Sequence, residues 1–263
     1  MPEQMVEVEQ RGAVAWVWMN RPAVHNALNE DMIAEIAAAF NGLSADDGVR
    51  AIVLGGRGKS FSAGGDADWM RRQGAASFDA NLDDARRLAG MFGAIAMSPK
   101  PTIARVNGAA IGGGLGLVCA CDIAIAAEDA KFAASEVRLG LIPATIGPYV
   151  VRAIGQRWAR RLFQTGERIG AEHAQRIGLV HESVAAAQLD TRVDAVLNDL
   201  LAGAPLAQAA SKDLIDAVAE RPMTPGLIED TARRIAHIRA QDEAREGLGA
   251  FLGKRPAAWV TKL

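Results

Sequence analysis

Hydrophobic residues along the chain follow two spacings, one typical of strands and one typical of helices. Residues 13–19 are almost entirely apolar and rich in β-branched and aromatic side chains, which predicts a strand. After Asn29, apolar residues recur every three or four positions as far as Phe40, which predicts a helix capped by Asn29. The same criteria predict strands at 49–54, 102–106, 123–126 and 131–134, and a helix at 82–97. This alternation is typical of an α/β domain whose sheet is covered by helices.

The pattern changes after about residue 189, where helical spacing continues with no strand between the segments. Helices are predicted over 189–202, 205–219 and 227–252. Between 71 and 77, a run of small and polar residues predicts a mobile loop. We therefore predict a core over residues 1–200 and a C-terminal helical region over residues 201–263.

Composition and charge exclude several classes of protein. The 263 residues are 50% hydrophobic and 23% charged, which is typical of a globular domain. With 29 basic and 31 acidic residues, the chain lacks the basic excess of a nucleic-acid binder. The apolar run 109–121 holds four glycines and is too short to span a membrane, and the start of the chain lacks the basic and apolar parts of a secretory signal. We expect a cytoplasmic protein that binds neither nucleic acid nor membrane.

The two cysteines predict no special chemistry. Cys119 and Cys121 stand two residues apart in an apolar run with no histidine nearby, so they indicate neither a disulfide framework nor a zinc site. We expect both to be small buried side chains.

Two glycine-rich segments, 59–66 and 107–116, each follow a predicted strand. Glycine lets a backbone approach a ligand closely, and a glycine run at a helix start presents free N–H groups to developing negative charge. Neither segment has the spacing of a P-loop or of a dinucleotide-binding fingerprint. A plain loop for the first segment and close helix packing for the second stay open as alternatives.

Glu136 is the candidate acid or base. It follows the predicted strand 131–134 in apolar surroundings, where the pKa of a carboxyl group is raised and the group can exchange protons near neutral pH. The alternative is a surface glutamate that pairs with Arg138.

An ordered series of short segments carries a family resemblance. These segments are 20–22, 26–28, 61–66, 100–108, 112–114, 121–122, Glu136 together with 139–143, 165–169, 174–180 and 251–259. Together they resemble the crotonase (enoyl-CoA hydratase/isomerase) superfamily over about residues 10–260. The resemblance implies an α/β fold, a spiral of repeated ββα units with a C-terminal helical trimerisation region. It also implies a homotrimer or dimer of trimers that acts on acyl-CoA, with no metal and no cofactor beyond the coenzyme A of the substrate.

The resemblance also assigns roles to residues. The backbone N–H groups of Gly65 and Gly113 would bind the thioester oxygen, and Glu136 would be the catalytic acid or base. The acyl pocket would draw on residues 69–96, and Lys254 would reach a phosphate of coenzyme A. The other expected substrate contacts are Arg21, Ala23, Val24, Ala63, Gly65, Asp66, Ala67 and Gly113.

One position departs from the family pattern. Hydratases of the family generally hold a water between two glutamates, and the first of these matches Gly116. Around 112–125 and 135–152 the chain looks like bacterial hydratases of branched, carboxylated substrates of the methylglutaconyl-CoA type, whose second carboxylate would need a cation such as Arg138.

Our main hypothesis is an enoyl-CoA hydratase with one glutamate. The alternatives are a Δ3,Δ2-enoyl-CoA isomerase, for which one carboxylate suffices, a decarboxylase or thioester hydrolase, and a non-catalytic acyl-CoA binder.

Overall fold

The computed structural model describes residues 4–263. Met1, Pro2 and Glu3 lie outside the described residues. The expectation of no secretory signal rests partly on these three residues. The strands are β1 (Val6–Arg11), β2 (Val14–Met19), β3 (Ala51–Gly56), β4 (Thr102–Val106), β5 (Ala109–Ile111), β6 (Ile123–Ala127), β7 (Lys131–Ala133), β8 (Ile169–Gly170) and β9 (Glu182–Val184). The helices are α1 (Glu30–Ala45), α2 (Ala67–Ala75), α3 (Phe78–Ala96), α4 (Gly113–Ala120), α5 (Gly147–Thr165), α6 (Ala171–Arg176), α7 (Leu189–Ala202), α8 (Pro205–Val218), α9 (Pro225–Arg239) and α10 (Asp242–Leu252).

The strands form two sheets. The larger has the order β1-β2-β3-β4-β6-β9 and is parallel except for the β1–β2 pair, and the smaller has the order β5-β7-β8. The segments β4-β5-α4 and β6-β7-α5 each give one strand to each sheet and then a helix. This repeat is the expected spiral of ββα units, so the predicted fold class is confirmed.

Helices cover both faces of the larger sheet. One buried cluster includes apolar residues of α1, α3, α4 and α5, and a second joins Trp16, Val53 and Ile103 to Val193 and Leu197 of α7. All six residues of β2 are buried, as expected for a strand covered on both faces. Among residues 4–263, no helix combines the length and apolar character needed to cross a membrane.

Local chemistry confirms one predicted helix start and corrects two other predictions. Asn29 caps α1, with its side-chain oxygen accepting the Met32 N–H at 3.0 Å. The predicted mobile loop at 71–77 is largely part of α2, which begins after a capping aspartate, Asp66. The single helix predicted over 227–252 is two helices, α9 and α10, which are separated at Ala240 and Gln241.

Buried Asn26 joins the loop after β2 to the loop after β3. Its Oδ1 accepts the Arg21 N–H at 2.8 Å, and its Nδ2 donates to the carbonyl oxygens of Arg57 at 2.9 Å and Ser60 at 2.8 Å. The Asn26 backbone is left-handed, with φ 54°, a conformation that asparagine tolerates better than most residues. One side chain therefore satisfies three backbone groups of the two loops.

Replacing Asn26 with alanine should lower the free energy of unfolding by about 3 kcal/mol, because buried backbone groups lose their partners. Urea denaturation measures this change. The control is Asn198→Ala on the exposed side of α7, for which the change should stay within about 0.5 kcal/mol. Equal effects of the two substitutions would contradict the role assigned to Asn26.

Candidate active site

The candidate site residues follow the ends of three neighbouring parallel strands. β2, β3 and β4 run in the same direction, so the loops after Met19, Gly56 and Val106 emerge at one edge of the sheet. Ligands of open parallel sheets bind at this carboxyl edge. The two glycine-rich segments follow the neighbouring strands β3 and β4, so they lie side by side at this edge.

These two segments meet backbone to backbone. The Ser62 N–H donates to the Ala109 carbonyl at 2.9 Å, and the Ile111 N–H donates to the Ser62 carbonyl at 3.0 Å. A Cβ atom at Gly114 would lie 2.5 Å from the Ser62 carbonyl oxygen, so only glycine allows this approach. The contact fixes the start of α4 against the loop that carries Gly65.

Leu28 is a common neighbour of the two predicted oxyanion donors. Its backbone N–H donates to the Gly64 carbonyl at 2.7 Å and its carbonyl accepts the Asp66 N–H at 2.8 Å, which holds Gly65 in place. Its Cδ1 lies 2.7 Å from the position of a Cβ at Gly113. Within residues 4–263, neither the Gly65 N–H nor the Gly113 N–H donates a hydrogen bond. Both donors are free, and that of Gly113 stands at the positive end of α4.

The Glu136 carboxylate lies over the start of α4. Its Oε1 is 3.3 Å from the position of a Cβ at Gly112, the residue before Gly113. Its Oε2 is buried and finds no hydrogen-bond partner in the described chain. Burial raises the pKa of Glu136, and a hydrogen bond from its own backbone opposes this only in part. The group is poised to exchange a proton with a bound molecule.

The alternative that Glu136 pairs with Arg138 is wrong. The Arg138 guanidinium points to the end of α5, where Nε and Nη2 approach the Thr165 carbonyl oxygen at 3.4 and 3.5 Å. Its side chain also lies against Gly166. The cation considered for a second substrate carboxylate is therefore directed to the end of a helix.

Apolar side chains fill the space beside Gly116. A Cβ there would contact Ile146 Cγ2 and would lie 2.9 Å from both Ile146 Cβ and Phe92 Cε1. Phe92 is fully buried and Ile146 is 2% exposed. The position that matches the first glutamate of the family thus has no carboxylate and no room for one.

The expected coenzyme A contacts form a continuous surface next to Gly65. Ala63 N–H donates to the His25 carbonyl at 2.9 Å, which joins the two loops, and Arg21 pairs with Asp66 at 3.0 Å. Burial alone would raise the pKa of Asp66, but hydrogen bonds from the Trp69 N–H, Arg21 and the Asp68 N–H outweigh burial and lower the pKa. The small residues at the surface of these loops are exposed: Ala23, Val24, Ala63 and Ala67.

No contact found within residues 4–263 joins Lys254 to this surface. The tail that carries it is anchored by Trp259, whose carbonyl accepts a bond from Arg50 at 3.1 Å and whose Nε1 donates to the Ala202 carbonyl at 3.2 Å. Arg50 precedes β3, whereas the Gly65 loop follows β3, so this anchor lies at the opposite edge of the sheet. A contact between Lys254 and coenzyme A stays a prediction.

A cavity of about 750 Å³ lies at the other end of α4, and it does not include the two oxyanion donors or Glu136. Cys119 and Cys121 line it as free thiols, and burial raises the pKa of both, that of Cys119 to about 12. Among residues 4–263, no group of three or more His, Cys, Asp or Glu side chains is arranged to hold a metal ion.

Sequence reasoning missed three residues at the site, namely Leu28, Phe92 as a neighbour of Gly116, and Ile146. Leu28 belongs to the 26–28 segment, but apolar side chains in a motif also indicate simple core packing. Nothing in a single sequence pairs Ile146 with Gly116, because thirty positions separate them.

Comparisons with known proteins agree with this geometry. The family model described as enoyl-CoA hydratase/isomerase matches residues 9–262. A crystal structure of an enoyl-CoA hydratase from Shewanella pealeana superposes with a TM-score of 0.95 at 40% identity, covering 97% of this chain and 96% of that one.

Two curated relatives match this chain over nearly its whole length. The crotonyl-CoA hydratase of Syntrophomonas wolfei is 34% identical over the whole of both chains, and the short-chain-enoyl-CoA hydratase of Clostridium acetobutylicum is 32% identical over 95% of each. With its spiral of ββα units, its paired glycine loops and a family match over nearly its whole length, this chain belongs to the enoyl-CoA hydratase/isomerase family.

Proposed function

We propose that this protein is a cytoplasmic enoyl-CoA hydratase that uses Glu136 as its single acid and base. The observation that carries the proposal is the Glu136 carboxylate beside the start of α4, where, in the described part of the chain, its buried Oε2 has no partner and the Gly113 N–H is free. The relatives from Syntrophomonas wolfei and Clostridium acetobutylicum, which are named for hydration of crotonyl-CoA and short-chain enoyl-CoA, support the same reaction.

In the proposed mechanism, the N–H groups of Gly65 and Gly113 hold the thioester oxygen and stabilise the charge that forms on it as an enolate. Each such donor is worth about 10²–10³-fold in rate. Glu136 takes a proton from water as the oxygen of that water bonds to C3, and the same carboxyl then gives the proton to C2. The reaction needs no cofactor beyond the coenzyme A of the substrate.

Coenzyme A would lie along the exposed surface formed by the Ala23–Val24 turn and the 63–67 loop. The paired Arg21 and Asp66 stiffen this surface, and they remain candidates to contact the substrate. A carboxylated acyl group of the methylglutaconyl-CoA type stays a candidate substrate. Such a group would need a cation other than Arg138, which points to Thr165.

A Δ3,Δ2-enoyl-CoA isomerase is the second candidate, and the environment of Gly116 favours it. Isomerisation moves one proton from C2 to C4 and needs no held water. One carboxylate, with the apolar side chains of Ile146 and Phe92 beside the position of the second, suits that transfer. In a non-catalytic acyl-CoA binder, the burial of Glu136 would serve no function.

Replacing Glu136 with glutamine should lower kcat for crotonyl-CoA hydration by about 10²–10⁴-fold, because the amide cannot accept the proton. Loss of the absorbance of the conjugated enoyl thioester measures the rate, and 3-methylglutaconyl-CoA and a 3-enoyl-CoA are assayed in parallel. The control is Glu172→Gln on the exposed surface of α6, which should leave kcat unchanged. If only the 3-enoyl-CoA is turned over, the protein is an isomerase and not a hydratase.

The same substitution should stabilise the protein in a pH-dependent way. Because burial raises the pKa of Glu136 in the folded state, the wild type has its full stability only below the unfolded pKa, about 4.3, and loses part of it as pH rises through the folded pKa. The difference in Tm between Glu136→Gln and wild type should therefore increase from pH 4 to pH 7. A difference that does not change with pH would contradict an energetic cost of the ionised carboxylate.

We also propose that the C-terminal helices join copies of this chain into a trimer or a dimer of trimers. Phe251 and Leu252 of α10 are 80% and 79% exposed. Other large apolar side chains of this region are exposed too: Leu206, Ile215, Met223, Ile228 and Leu248. A cluster of exposed apolar side chains of this extent on neighbouring helices is typical of an interface.

Light scattering after size-exclusion chromatography should give the mass of a trimer or of six chains. The double substitution Phe251→Ser, Leu252→Ser should lower that mass, because it replaces apolar contact by exposed hydroxyl groups. Phe78→Ser, which changes an equally exposed side chain on α3, is the control and should leave the mass unchanged. A wild-type monomer would overturn the proposed assembly.

A further inference from the structure

Three helical segments meet around Gly116, between the start of α4, which carries Gly113, and the cavity near its other end. Gly116 lies in α4, Phe92 in α3, and Ile146 immediately before α5. The side chains of Phe92 and Ile146 touch the space next to the Gly116 Cα, with no gap that would hold even a methyl group. We call these three residues the partition.

Residues one helical turn beyond the partition line the cavity on each segment. Ala96 lies four residues after Phe92, Cys119 and Ala120 lie three and four residues after Gly116, and Tyr149 lies three residues after Ile146. All four line the cavity. One turn of helix is about 5.4 Å, so a single layer of side chains closes the way from the site to the cavity.

The order along α4 sets the direction of the acyl group. The first residue of the helix, Gly113, holds the thioester oxygen, Gly116 follows about 4.5 Å further, and Ala120 about 10 Å further. The coenzyme A surface lies on the side of Gly65. With coenzyme A on that side, the acyl chain would extend in the other direction, past Gly113, toward Ile146 and Phe92.

We propose that Ile146, packed with Phe92 on Gly116, limits the substrate to short acyl groups by closing off the cavity. This inference rests on the proposed function, since it takes the thioester to lie at Gly65 and Gly113. The cavity wall beyond the partition is largely apolar, with Val118, Ile123 and Leu179 among its residues, so it would accept the tail of a longer chain if the partition opened.

The test compares short and long acyl chains in wild type and in Ile146→Ala. Calorimetry gives the Kd of butyryl-CoA and decanoyl-CoA, and hydration assays give kcat/KM for crotonyl-CoA and trans-2-decenoyl-CoA. Wild type should prefer the short chain by at least about tenfold in both measurements, since each methylene that a closed pocket rejects changes binding by about tenfold or more. Ile146→Ala should reduce this preference by at least about tenfold.

Two further variants make the test specific. Ile154→Ala removes the same atoms from α5 at a buried position that does not line the cavity, so the chain-length preference should not change. Adding Ala207→Phe, on the α8 side of the cavity, to Ile146→Ala should restore the preference for the short chain by filling the opened space. If Ile146→Ala does not fold, Ile146→Val provides a smaller opening and a smaller shift.

The outcomes separate this inference from the proposed function. Equal binding of long and short chains by wild type, or an unchanged preference in folded Ile146→Ala, overturns the role of Ile146. A chain-length preference in binding with no turnover of any enoyl-CoA supports the partition and overturns the hydratase. The calorimetric measurement does not require activity, so it tests the role of Ile146 whether or not the protein is a hydratase.

Discussion

The candidate site depends on one constraint, the close approach of three backbone segments. The segments are 26–28, 62–65 and 110–114, and they are joined by the Ser62 hydrogen bonds and by the backbone of Leu28. A methyl group at Gly114 would separate two of them, because the Ser62 carbonyl already occupies that space. The free N–H groups of Gly65 and Gly113 are a consequence of this packing. The hydrogen bonds that hold the loops use the neighbours of each glycine and leave the glycine N–H itself unpaired.

The carboxylate that faces these donors is held at an energetic cost. Among residues 4–263, Glu136 Oε2 is buried without a partner, and burial raises the pKa of the group. A glutamate with only a structural role would be more stable with a cation beside it, and the nearest cation in the sequence, Arg138, is directed to Thr165 instead. A buried acceptor with no protein donor makes sense where a substrate or water supplies the proton.

The sequence predicts most elements and the chemical residues but not how they close on one another. The helix after Asn29 and the strand 102–106 are found because each has a clear local pattern. The elements β1, β5, β8, β9, α5 and α6 are not predicted, and β8, for example, has only two residues, too few to show a period. α2 is misread as a loop because its start depends on the Asp66 cap rather than on an apolar stripe. At the site, motif resemblance gives Gly65, Gly113 and Glu136, whereas the contact of Ile146 with Gly116 depends on packing between distant segments.

That contact changes the meaning of the missing glutamate. A glycine in place of a carboxylate would leave a polar hole that water could fill, and the site would then be a weakened version of a two-glutamate hydratase. Ile146 and Phe92 occupy the hole, so the loss of the carboxylate and the gain of an apolar wall belong together. Restoring the glutamate alone would force its Cβ into Ile146 and bury a second charge among apolar side chains. The one-carboxylate site is therefore a consistent arrangement in its own right, in which a single proton carrier works against an apolar surface.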